Sequence, residues 1–171
     1  MNTEELHITV FKALDLYLAL KNKYPALAGD LVFSSPRGQC HMTKNVLEIF
    51  KTFPDMISDS PQKEKASGIV QSIVVLEKER KNATADVKDK ISEKIKKLTG
   101  EVNPLLDSLE LRDDTFVEIR FDAKKVNLPL IFELQKDELV SRVHTPQAKA
   151  SVRIVLGTIG EIYAHKYLNN K

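Results

Sequence analysis

Between Thr115 and Leu168 the spacing of apolar residues changes from every second residue to every third or fourth. That change constrains the fold more than any other feature of the chain. In Phe116-Val-Glu-Ile-Arg-Phe-Asp122, Val117, Ile119 and Phe121 take one side, and Phe116, Glu118, Arg120 and Asp122 the other. This is a strand with one buried and one wet face. After the polar Lys124-Lys125, the positions Val126, Leu128, Leu130, Phe132 and Leu134 repeat the alternation, with Pro129 inside the run. A proline cannot donate to a ladder, so this strand belongs at an edge or begins at Leu130. Past Lys136-Asp137, Leu139, Ser141 and Val143 form a third, shorter run. Short polar connections favour antiparallel neighbours, so the expectation is a three-stranded meander over about 115–143.

Such a sheet needs a cover on its apolar face. Thr145-Pro146 has the form of a helix start, a hydroxyl cap followed by proline at the first helical position. Ala148, Val152, Val155, Ile159 and Ile162 then recur at helical steps, with Leu156, Tyr163 and Tyr167 widening the stripe. This predicts a long C-terminal helix over about 146–168. Gly157 and Gly160 fall within the stripe, at an intrinsic cost of about 0.8–1 kcal/mol each against alanine, and suggest close approach of a neighbouring backbone. A competing assignment makes Val152-Arg-Ile-Val-Leu156 a fourth strand that stops at Gly157; the helix is preferred because its register runs on to Tyr167.

Upstream, the N-terminal two-thirds is expected to be mostly helical. Thr3 with Glu4 and Glu5 opens a helix, and Leu6, Val10, Ala13, Leu14, Tyr17, Leu18 and Tyr24 follow at helical spacing. Ile8, Phe11, Leu16 and Leu20 make this helix apolar around much of its circumference, as in a core helix or one shared with a partner. Pro25, Gly29 and Ser34-Ser-Pro-Arg-Gly38 mark an irregular segment with a short strand at Leu31–Phe33. A second helix runs from Thr43 to Phe53, where Pro54 stops it. Ser60-Pro61 starts a third. From Glu77 charge dominates, Asn82-Ala-Thr84 offers a turn, and Val87, Ile91, Ile95 and Leu98 make a narrow stripe ending at Gly100. These features predict a charged helical hairpin over about 61–99 rather than one rod of about 58 Å. Asn103-Pro104 then opens a last short helix. The fold class is α+β. The expected organisation is a single domain over 1–171, subdivided if at all into a helical part, 1–110, and a sheet-plus-helix part, 111–171.

With 171 residues, 42% of them hydrophobic and 29% charged, the chain suits a soluble globular protein burying about 70% of its unfolded surface. The one cysteine, Cys40, excludes an internal disulfide, and no signal-like segment, lipidation motif or bilayer-spanning run is present. A cytoplasmic or otherwise intracellular setting is the expectation, with no membrane partner.

Chemistry-bearing motifs are sparse. His7, His41, His144 and His165 are scattered, without metal-ligand spacing, and no phosphate-binding glycine loop occurs. No metal, cofactor or catalytic residue is therefore assigned. Cys40 with a distant histidine is a third-ranked enzyme reading. The leading reading is a non-enzymatic adaptor, regulatory or assembly protein that binds another protein or itself through apolar helix faces. Its candidate interface residues are Leu6, Val10, Tyr17, Gly157, Gly160, Tyr163 and Tyr167. The alternative is a nucleic-acid-associated protein using Lys78, Arg80, Lys81, Lys88, Lys94 and Lys97 of the hairpin. Over Glu77–Lys97, eight basic residues stand against five acidic ones, and interleaved signs are more typical of a solvated helix face than of a phosphate-binding one.

Overall fold

A computed structural model describes residues 1–27, 29–122, 133–134, 136, 142–144 and 151–166. The chain forms two compact units, one of Thr3–Lys44 with Asp113–Lys171 and one of Asn45–Arg112.

The first unit holds a helix, α1 (Thr3–Lys23), and a five-stranded sheet among its described residues. The strands are β1 (Asp30–Ser35), β2 (Gly38–His41), β3 (Phe116–Asp122), β4 (Arg142–His144) and β5 (Ser151–Thr158), in the order β2-β1-β3-β5-β4. Every neighbouring pair is antiparallel. A C-terminal helix, α5 (Ile159–Lys166), follows β5 directly and packs against α1.

The α+β class holds, and β3 lies where its alternation places it. Val117 and Ile119 are fully buried and Phe121 nearly so. Three expectations for the C-terminal part change. The meander is replaced by a sheet in which β3 pairs with β1 and β5, not with the next strand in the chain. Most of the run from Val126 to Leu134 lies outside the described residues, but Glu133 and Leu134 are helical, with the Lys136 N–H donating to the Glu133 carbonyl at 3.1 Å. Of the third run, only Arg142–His144 is described, as β4.

The long helix over 146–168 is the third correction. Ser151–Thr158 is a strand, and the helix is confined within the described residues to Ile159–Lys166. Val152, Ile154, Val155 and Leu156 are all buried. A strand buried on both faces lacks alternation, and over a few residues it matches a helical stripe. The β-branched Val-Arg-Ile-Val favours the extended form. At Gly157 the backbone takes φ +126°, which a side chain disfavours. Thr158 then caps α5 in a reciprocal pair: the Glu161 N–H donates to Thr158 Oγ1 at 3.1 Å, and the Thr158 N–H donates to Glu161 Oε2 at 3.2 Å. Gly160 does serve close approach, since a Cβ there would sit 3.2 Å from both the Cβ and the carbonyl oxygen of Asp113.

The irregular segment near Leu31 is a full hairpin. Pro36 and Arg37 turn β1 into β2, and Gly38 takes φ 150° at the first paired position. The second unit contains α2 (Val46–Thr52), a 3-10 turn at Pro54–Met56, α3 (Pro61–Lys81) and α4 (Ala85–Asp107). Asn45 caps α2 and Ser60 caps α3, each through its side-chain oxygen. The helical hairpin forms as expected, with its turn at 82–84. Its second arm runs past Gly100 and through Pro104 to Asp107, so the separate short helix is not formed. Ile91, Val102 and Leu106 are buried along one continuous seam. Pro104 has no N–H to donate to the Gly100 carbonyl, and Gly100 is exposed.

Two substitutions check this architecture. A Cβ at Gly29 would collide with the Arg120 carbonyl of β3, so Gly29→Ala is expected to destabilise by about 1–3 kcal/mol in chemical denaturation. Thr158→Ala removes half of the α5 cap and is expected to cost about 1 kcal/mol; an unchanged denaturation midpoint would contradict the capping assignment.

Candidate functional site

The outward face of α1 is the first candidate. Leu6, Thr9, Ala13, Leu16 and Leu20 turn inward and are buried. On the opposite side Phe11, Leu14 and Leu18 are 54%, 39% and 48% exposed. Their three- and four-residue spacing puts them on one stripe of the helix. One end of the stripe is fixed by the segment after β2. The Lys44 Nζ lies 4.8 Å from the centroid of the Phe11 ring, and the Lys44 carbonyl is 2.9 Å from His7 Nε2.

The interface residues expected from the sequence sit in differing surroundings. Leu6 is fully buried, Val10 and Tyr17 are half-buried, and the Tyr17 hydroxyl donates to the Gly29 carbonyl at 3.1 Å. Gly157 is buried beside the α5 cap, while Gly160 and Tyr163 are half-buried. Tyr167 lies outside the described residues. Leucine and phenylalanine all round α1 concealed which positions remain outside. Burial picks out Phe11, Leu14 and Leu18, which sequence reasoning did not single out as interface residues.

The second candidate is a charged cluster on β3. Glu118 has a side chain only 5% exposed, rare for a carboxylate without a partner. Its Oε2 is 3.3 Å from Arg120 Nε and its Oε1 is 3.6 Å from Arg153 NH1. Arg120 also donates to Ser34 Oγ on β1 at 3.1 Å. Sequence reasoning placed Glu118 and Arg120 on a wet face. Val32 and Val155, which flank Glu118 in the register, are buried, whereas Asp30 and Arg153, which flank Arg120, are exposed and half-buried, so the face is covered around Glu118 and opens toward Arg120.

The basic hairpin residues lie in the second unit. Lys78, Arg80, Lys81, Lys88, Lys94 and Lys97 are all exposed. From Val74 to Lys90 no residue is buried. Along α4, Asp86, Lys90, Glu93 and Lys97 follow at three- and four-residue steps, so opposite charges share one face. Arg80 reaches Ser92 across the turn at 3.5 Å. The start of α3 carries an open cavity of about 460 Å3 lined by Asp59, Ser60, Pro61, Lys63, Glu64 and Ser67. A hydrogen bond from Lys63, then the charges of Lys63 and Arg112, hold the Asp59 carboxyl below the usual carboxylate range. These contacts fasten the start of α3.

Cys40 is buried on β2, opposite Phe33 in the register, while His41 beside it is exposed. Neighbouring residues of a strand face opposite ways, so the pair has no shared reactive geometry. Among the described residues no group of three or more histidine, cysteine or acidic side chains could hold a metal, and no helix is long and apolar enough to cross a membrane.

Two ion-pair predictions follow from these environments. Glu118→Gln leaves two facing guanidiniums without their counter-charge and is expected to cost about 3 kcal/mol in equilibrium unfolding. Burial alone would lower the Lys51 pKa, but the hydrogen bond to Glu77 and the charges of Glu48 and Glu77 raise it overall. The 2.6 Å Lys51–Glu77 pair therefore stabilises fully below the ordinary lysine value of about 10.4, and this stabilisation is lost as the pH rises through the higher folded value. Glu77→Gln is expected to cost about 1 kcal/mol near neutrality, and the gap from the parent protein should close at strongly alkaline pH. Compared with known proteins, the chain matches no family model, no curated protein and no solved structure.

Proposed function

We propose that this is a non-enzymatic protein-binding chain that self-associates through the outward face of α1. The observation that carries the reading is the exposed stripe of Phe11, Leu14 and Leu18 opposite the buried face of the same helix. Leaving three large apolar side chains in water along one stripe forfeits the burial that stabilises the rest of the helix. A second copy of the same helix offers the matching apolar surface and a symmetric contact. The stripe supplies a few hundred Å2 at most, below the roughly 800 Å2 per partner of a stable complex. The reading therefore places the association in the weak, concentration-dependent class.

Sedimentation velocity from micromolar to millimolar concentration tests this. The average mass is expected to climb above the 19.3 kDa of the single chain. In the double variant Phe11→Ser, Leu18→Ser it is expected to stay at that value, with the fold intact because both positions are exposed. A parent protein that remains a monomer at millimolar concentration would remove self-association.

A further inference from the structure

Arg120 and Arg153 stand directly opposite each other on β3 and β5. Directly opposed residues on antiparallel strands share one face, with Cβ atoms about 4.5–5.5 Å apart, and like charges there repel. Glu118, two residues before Arg120 on the same face, offsets the repulsion but supplies one negative charge against two positive ones. Its two oxygens are divided between the two guanidiniums. Within this trio two guanidiniums face one carboxylate, and a second acid on the face, Asp30, is exposed at the β1 position opposite Arg120.

The donor count is also uneven. A guanidinium carries five N–H donors. Arg120 uses its donors on Glu118 and on the buried Ser34 hydroxyl. Arg153, with a side chain 33% exposed, has one ion contact, at 3.6 Å, and makes no hydrogen bond to a described residue. A guanidinium that is two-thirds covered and held beside a buried carboxylate, with no hydrogen bond to a described residue, suits a planar or tetrahedral oxyanion. Asp30 occupies the β1 position opposite Arg120 yet forms no ion pair with it, so that acid does not fill the role.

We propose that Arg153, assisted by Arg120, binds the phosphate or carboxylate group of a small ligand, with Glu118 as the positioning residue. The guanidinium of Arg153 donates two parallel hydrogen bonds to the oxyanion, and Arg120 contributes charge from the neighbouring strand. This site is independent of the α1 stripe and does not rest on self-association.

The test follows the arginine Nε–Hε signals of the full chain by NMR at neutral pH while inorganic phosphate or acetate is added at constant ionic strength set with chloride. A saturable shift of the Arg153 and Arg120 signals is expected, and which anion saturates identifies the source of the oxyanion. Arg153→Gln should bind about tenfold more weakly or worse, the loss of one charge-assisted contact. Arg153→Lys, which keeps the charge but not the fork, should be weaker than the parent by several fold and guards against misfolding of the first variant. Shifts that merely track ionic strength alike for phosphate, acetate and chloride would overturn the proposal. Equal phosphate and acetate binding by the parent and both variants would overturn it too.

Discussion

The first unit depends on β3 finding partners from both directions along the chain. On one side it pairs with β1, more than eighty residues earlier; on the other it pairs with β5, which begins after residue 150. Neither contact is local, so the sheet closes only after two long loops have been paid for in chain entropy. What compensates is the burial of β3 on both faces. Val117, Ile119 and Phe121 fill the apolar side, and Glu118 is buried on the other in an ionic cluster that reaches β1 through Ser34 and β5 through Arg153. A buried ion pair of this kind contributes little net stability against a well-packed apolar substitute. It does penalise a slip of one residue, which would send Glu118 and Arg120 into the hydrocarbon side.

The second unit is organised by local contacts instead. Residues 45–112 lie in the chain between β2 and β3, and their helices follow one another through short connections. Caps at Asn45 and Ser60 and the turn at 82–84 set the helix ends. The apolar seam thins toward that turn, between Ile73 and Ile91, where charge takes over. That region gains solubility from its alternating signs and has no need of a ligand to explain it.

These two modes of organisation account for what could be read from the residues alone. The helical hairpin was legible because its turn residues coincide with the loss of apolar positions, a signal contained within a few residues. β3 was legible because its alternation is strict. The C-terminal strand was not, because burial on both faces of Val152–Leu156 removes the alternation that would announce it. The capping pair of Thr158 and Glu161 was the available signal that the helix begins only at Ile159. Neither the β1–β2 hairpin nor the sheet order could be deduced locally, since partner choice is a long-range property. The same limit applied to function. The apolar residues of α1 were visible, but only burial separates Leu6, which belongs to the core, from Phe11, Leu14 and Leu18, which do not. Glu118 looked like a solvated acid until the register set Arg153 beside Arg120.

The account rests on Ser151–Thr158 being a strand paired to β3, because that pairing brings the two arginines together and sets where α5 begins. Backbone NMR of residues 151–158 addresses this most directly. Extended-type chemical shifts are expected, with cross-strand contacts linking Arg120 to Arg153 and Glu118 to Val155. Helical shifts continuing through Gly157 into Ile159, without those contacts, would contradict the sheet, the charged cluster and the oxyanion site together.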